Sequence, residues 1–521
     1  MKIHSALRAA TLFICLPLTS LHAAAATATG ATGATATHTS GIDWFAGDVD
    51  AAFAQAKRDN KSVFLYWGAA WCPPCNQVKA TIFKRQDFIA RSRFFVPVNL
   101  DGDSPGAQKL GARFKVRGYP TTILFRPDGS EITRLPGEVD AARYLKVLAL
   151  GMNASHPIKD TLQSALRGTP KLTSDDWRLL SFYSWDTDEQ QLVNDASRAT
   201  TLQKLSAAAP AGDAAIRLNL LALVAAANGR SADAVASDNP PAIKILQQWF
   251  ADRRQIRDNA DLLTNYAGKL VAANSASASG ARQALIEAGS AALQRLADDK
   301  TLSTTDQLAA RVSEINLAHL RQPPAALDPV LLKAAQTQVA AADRNTTDPY
   351  ERQSVISAGA DVLTEAGLLD ASDALLNAEL KRSHSPYYFM LGLAANAKLR
   401  GDKAAALRWY DQAYSAAKGP ATRLQWGATY LVNLIELTPT DEAQIEKIAH
   451  SVLDELAATP DAFYERNRQK LEALGRKLTA WKSDRHQAAF GRIATQLNTV
   501  CGKLPAGDAQ RRTCQGLLAA G

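Results

Sequence analysis

The sequence predicts an α/β unit over residues 41–150, with a central mixed sheet flanked by helices, followed by a large all-α, repeat-like region, a solenoid or a bundle, over residues 173–521. Three observations predict this. Short aromatic and β-branched runs alternate with helically spaced apolar residues up to about residue 150. From about Lys159 strand signals nearly vanish, and Ala, Leu, Gln, Arg and Glu take over with apolar residues at i, i+3 and i+4. The chain is also 521 residues long, more than one core usually supports.

Two segments precede the α/β unit. Lys2 and Arg8 come before an apolar run, Ala9 to Leu18, and small residues follow, which describes a secretory signal peptide over residues 1–23. The run is shorter than the ~18 apolar residues of a permanent span, so no membrane span is expected once the signal is removed. Cys15 falls inside this run. Residues 24–40 are an Ala/Thr/Gly tract with nothing to bury, a flexible linker. Export places the protein in the periplasm or an equivalent oxidising compartment.

Within 41–150 the elements follow in order. Asp48 can cap a helix carrying Val49, Ala52, Phe53 and Ala56 at helical spacing. "SVFLYW" (62–67) is an apolar run of the kind found in buried strands. A helix is expected from Pro73, because proline suits the first helical turn. "FFVPVNL" (94–100) reads as a second strand and 104–114 as a short helix. "TTILF" (121–125), the turn Pro127-Asp128-Gly129 and residues 131–135 form a hairpin. A last helix covers 139–150, and a linker is expected over 151–172.

Part of the helical region repeats. Leu393, Ala394, Gly401, Ala406, Tyr410, Ala413 and Pro420 have the spacing of a tetratricopeptide repeat. Ala371, Leu375 and Ala378 echo it upstream, and a fainter echo surrounds Gly229 and Ala234. Trp177, Trp185, Trp249, Trp409, Trp426 and Trp481 read as helix-packing aromatics.

Net charge is +8, but Lys and Arg are interspersed with Asp and Glu, which speaks for solvated helix faces rather than a nucleic-acid surface. No phosphate loop, paired-carboxylate motif or Ser-His-Asp arrangement emerges, and the His residues lack ligand spacing, so no metal is expected.

The chemistry lies in Trp71-Cys72-Pro73-Pro74-Cys75. A Cys pair this close can serve a metal, a structural disulfide or a redox cycle. If a helix starts at Pro73, Cys72 sits at its N-terminus, where free N–H groups and partial positive charge favour the thiolate. Cys72 is then the exposed nucleophile, and Cys75, one turn further, the resolving thiol. Zinc shared with Cys501 and Cys514 is disfavoured, because twelve residues separate that second pair. Cys501 and Cys514 instead read as a structural disulfide pinning the last helical segment.

Residues 41–150 resemble the thioredoxin superfamily, above all its exported thioredoxin-like branch, which includes the periplasmic C-terminal domain of DsbD-type interchange proteins. The matching residues are Trp71 to Cys75, "VNLD" at Val98 to Asp101, Gly118-Tyr119-Pro120-Thr121 and the following "ILFRPDG". The resemblance implies a thioredoxin fold and dithiol–disulfide chemistry at Cys72 and Cys75. It also implies a cis Pro120 that lays Tyr119 beside the sulfurs, where its backbone can pair with an extended substrate. No cofactor is implied beyond the Cys72–Cys75 disulfide. The implied partners are protein disulfides and an electron-donor reductase, membrane-bound in the DsbD pattern.

Departures from the family pattern sharpen this. Tyr66 stands where thioredoxins carry a buried Asp, and Pro97 where they carry a basic partner. Pro73 and Pro74 lack N–H groups and cannot stabilise the Cys72 thiolate. A Cys72 pKa closer to ~7 than to ~3.5 follows, and with it a reductase or isomerase poise. Lys79, one turn beyond Cys75, is expected to pull that pKa down somewhat. The expected function is a thiol–disulfide oxidoreductase whose helical region recruits partners, the alternative being a scaffold with a vestigial redox domain.

Overall fold

The computed structural model describes residues 41–137, 140–230, 237–321, 326–482 and 485–518. The expected signal peptide and linker, Cys15 and the echo at Ala234 lie outside the described residues. The first part of the chain runs α1 (Val49–Asp59), β1 (Ser62–Gly68), α2 (Pro73–Thr81), α3 (Gln86–Ser92), β2 (Phe95–Asp101), α4 (Ala107–Arg113), β3 (Thr121–Phe125), β4 (Glu131–Leu135) and α5 (Ala141–Met152). The order matches the prediction with one addition, α3. Between α2 and α3 the helix breaks so that Phe83 and Phe88 can both pack edge-on against Phe64. Inside the first turn of α3, Asp87 accepts from the Phe88 N–H at 2.9 Å.

The sheet order is β2-β1-β3-β4. β1 and β2 are parallel, and β3 is antiparallel to both β1 and β4. Along β1, Val63, Leu65 and Trp67 pack with Val49, Ala52 and Phe114 on one face. Phe64 and Tyr66 pack with Phe83, Phe88 and Leu148 on the other. Both faces are covered, which is why β1 is apolar without alternation. The hairpin turns through Gly129 at φ +86, a conformation glycine adopts without a Cβ penalty.

Beyond β4 every described element is a helix. Residues 151–172 are not simply a linker: Ile158–Arg167 is a helix between Pro157 and Gly168. Its Ile158, Leu162 and Ala165 lie one or two turns apart and join the core of Trp177 and Leu202. In the region of tetratricopeptide-like spacing, the helices Pro386–Leu399 and Lys403–Ala416 bury Leu393, Ala394, Ala406, Tyr410 and Ala413. The upstream echo is out of register by one residue. Ala371 and Ala378 are exposed, while Ser372, Leu376 and Glu379 turn inward. Polar partners set this register, because Glu379 pairs with Arg352 and Ser372 accepts from Asn396.

The helical region touches the α/β part along its length. Ser174–Ser181 packs on α5, Pro349–Glu365 on α2, and Glu465–Trp481 on α4. The described residues therefore form one compact unit rather than two.

Candidate active site

The site begins where β1 ends. Gly68 to Trp71 turn the chain, Cys72 takes the N-cap position of α2, and Pro73 and Pro74 follow in the first turn. Neither proline has an N–H, so the Cys75 N–H is the first backbone donor of the helix, and it donates to Cys72 Sγ at 3.2 Å. The sulfur thus keeps one helix-terminal donor that the reading of the two prolines did not anticipate. Cys72 and Cys75 form a disulfide with a Cα–Cα separation of 5.2 Å. Asn76 fixes the turn by donating from Nδ2 to Ala70 O at 2.8 Å and Cys72 O at 2.9 Å.

Tyr66 lies behind Cys75, with its hydroxyl 3.4 Å from the Cys75 carbonyl oxygen it donates to. Burial raises its pKa far above the ordinary phenol range, so it stays a neutral donor and does not take up a proton. Lys79 is half-buried, and desolvation lowers its pKa against the opposing pull of Asp101. Its electrostatic neighbour on the sheet is Asp101. The Tyr119–Pro120 bond is cis. The Tyr119 ring packs edge-on against Trp67 and Trp71, and its hydroxyl accepts from Gln108 Nε2 at 2.9 Å.

The expectation of an exposed nucleophile is corrected. Cys72 is only 3% exposed, Trp71 6% and Cys75 0%. The cover comes from the helical region. Trp71 stacks on Tyr388 at 5.8 Å between centroids and meets Trp426 edge-on at 4.7 Å. Trp426 is buried as a packing aromatic, and what it packs on is the Trp71 beside the Cys pair. Trp71 Nε1 donates to Thr422 Oγ1 at 2.9 Å, and Trp71 O accepts from Gln353 Nε2 at 3.3 Å. The Arg466 guanidinium lies over both Trp71 and Tyr119. Gln353, Tyr388, Thr422 and Arg466 carried no signal in the sequence, because each is defined by its contact with a residue hundreds of positions away.

Cys501 and Cys514 form a second disulfide, joining the helices Gln487–Lys503 and Ala509–Gly516. Both are buried in a hydrophobic cluster with Leu474, Leu478 and Ile493, separate from the one that holds Cys72.

Residues 49–151 match the family model of a thioredoxin-like domain. The thiol:disulfide interchange protein DsbD 2 of Pseudomonas aeruginosa is 32% identical over 102 residues, 19% of this chain and 17% of its own length. DsbD 1 of the same organism is 32% identical over 98 residues, again 17% of its length. DsbD of Pseudomonas fluorescens is 30% identical over 103 residues, 18% of its length. The match thus spans less than a fifth of each of these relatives. A solved DsbH oxidoreductase aligns with a TM-score of 0.21 at 19% identity, over 24% of this chain and 94% of its own. The chain carries a thioredoxin-like domain, and no described helix is long and apolar enough to cross a membrane.

Proposed function

We propose that this chain is an exported thiol–disulfide oxidoreductase that reduces or isomerises protein disulfides through Cys72 and Cys75. The observation that carries the reading is the Cys72–Cys75 disulfide at the N-terminus of α2, with the Cys75 N–H directed at Cys72 Sγ. In the reduced protein the Cys72 thiolate attacks a substrate disulfide, forming a mixed disulfide and releasing one substrate thiolate. Cys75, as thiolate, then attacks Cys72 Sγ, releasing the second. Two electrons pass from the dithiol to the substrate, and a donor dithiol on a reductase restores the pair. No cofactor enters the cycle. Tyr66 and Asn76 hold the turn, and the helical region is the partner-binding module.

The burial of Cys72 favours a second reading, a scaffold whose redox domain no longer turns over. Insulin reduction by the full chain separates the two. The oxidoreductase loses the activity in Cys72→Ala and accumulates mixed disulfides with clients in Cys75→Ala. Identical, background-level rates in wild type and Cys72→Ala would leave the scaffold reading.

A further inference from the structure

We infer that the helical region closes the redox site at rest by capping one of its own helices with Asp103 of the α/β part, and that Cys72 reacts when this contact opens. The inference rests on the redox reading of Cys72 and Cys75.

The helix Pro420–Leu437 has Gly419 at its N-cap, which offers no side chain for the free N–H groups of the first turn. Asp103, two residues past the end of β2, supplies the missing cap. It accepts from the Thr422 N–H at 2.7 Å through Oδ1 and from the Thr422 hydroxyl at 2.5 Å through Oδ2. The carboxylate also meets the positive end of the helix. Gly419 is required here: it sits at φ +88, and a Cβ would collide with Asp103. The same Thr422 hydroxyl accepts from Trp71 Nε1, so one side chain ties the cap to the redox motif.

Two further polar contacts close the same face. Gln353, held by a 2.7 Å hydrogen bond from Ser383, donates to Trp71 O, and Ala70 O accepts from His384 Nε2 at 3.0 Å. Arg466 spans Trp71 and Tyr119, with Gln425 Oε1 as its hydrogen-bond acceptor at 3.3 Å. An extended substrate would pair along Tyr119 and pass over Trp71, which is the surface these groups occupy. Beside the ring contacts of Trp71 with Tyr388 and Trp426, the seam carries these polar groups, which water satisfies on opening, so each of them contributes modestly. Reactivity of Cys72 then scales with the open fraction.

The test uses the full chain with Cys75→Ala, which leaves Cys72 as a free thiol while Cys501–Cys514 stays bonded. Alkylation by iodoacetamide is expected to be slow. Thr422→Val or Asp103→Ala should accelerate it roughly tenfold, and Thr422→Ser, which keeps the hydroxyl, should restore the parent rate. In chains with both active-site cysteines, Thr422→Val should raise insulin reduction by a similar factor. If Thr422→Val fails to fold by circular dichroism, Gln353→Ala carries the same expectation. Equal alkylation rates in all folded variants overturn the closure. Faster alkylation with insulin reduction at background in every chain leaves the closure standing and overturns the redox reading.

Discussion

The two disulfides are equally hidden and differently held. Cys72 and Cys75 are 3% and 0% exposed, Cys501 and Cys514 2% and 0%. Exposure alone would assign both pairs to the same role. What differs is the cover. Cys501 and Cys514 are wrapped by apolar side chains of the helical region that carries them, among them Leu474, Leu478 and Ile493. Burial of that kind opens only with the local fold. Cys72 lies at a boundary between two parts of the chain, in a cluster that includes Tyr387 and Trp426 of the helical region, beside a Trp71 that Thr422, Gln353 and Arg466 contact. Its partner groups include a helix N-terminus and the backbone donor of Cys75. A sulfur pair meant to react needs that donor and a cover that can move; a pair meant to pin a chain needs neither.

The largest expected effect breaks the comparison at its chemistry. Cys72→Ala should drop disulfide reduction to the uncatalysed background while shifting the melting temperature little. The converse effect is on stability. Cys501→Ser with Cys514→Ser should cost about 3 kcal/mol, the loop-closure value for a ring of this size, with activity per folded molecule unchanged. Denaturant melts and insulin assays on the same samples read both. A loss of activity at unchanged stability in the second variant would move Cys501 and Cys514 into the redox cycle and end the contrast.

These two pairs also mark what was legible in the sequence. The strands "SVFLYW" and "TTILF", the helix opened by Pro73, and the close Cys72–Cys75 pair are local patterns set by periodicity, proline geometry and spacing. Even the cis Tyr119–Pro120 bond was readable, because a motif fixes its place. The break before α3 was not, since it lets two phenylalanines share one ring, Phe64. The cover over Cys72 was not either. Trp71 and Thr422 are 351 positions apart, and neither changes the pattern of its own helix or turn to reveal the other. Trp426 had the same apolar helical setting as Trp249, which packs within the helical core, so composition could not separate site from core. The one-residue slip at Ala371 has a similar origin, because Glu379 follows Arg352 rather than the repeat.

The smallest expected effect sharpens the contrast through pH. Glu465 opens the helix Glu465–Trp481 and is almost fully buried, with Gly111 of α4 leaving room for its side chain. Burial and the neighbouring Glu189 raise its pKa well above the carboxylate range, while Arg468 and Lys115 oppose the shift. The folded chain therefore holds a proton that the unfolded chain releases near pH ~4.3. Between that pH and the raised native pKa the folded state binds more protons than the unfolded one. Stability must then fall as pH rises, and level off once Glu465 ionises in the native state. Glu465 lies on the helix whose next residue, Arg466, covers Trp71 and Tyr119. Melting temperatures measured from pH 5 to 8 should decline less steeply in Glu465→Gln, which keeps the neutral shape without the titration. Parallel slopes in the two proteins would assign the pH dependence to some other group.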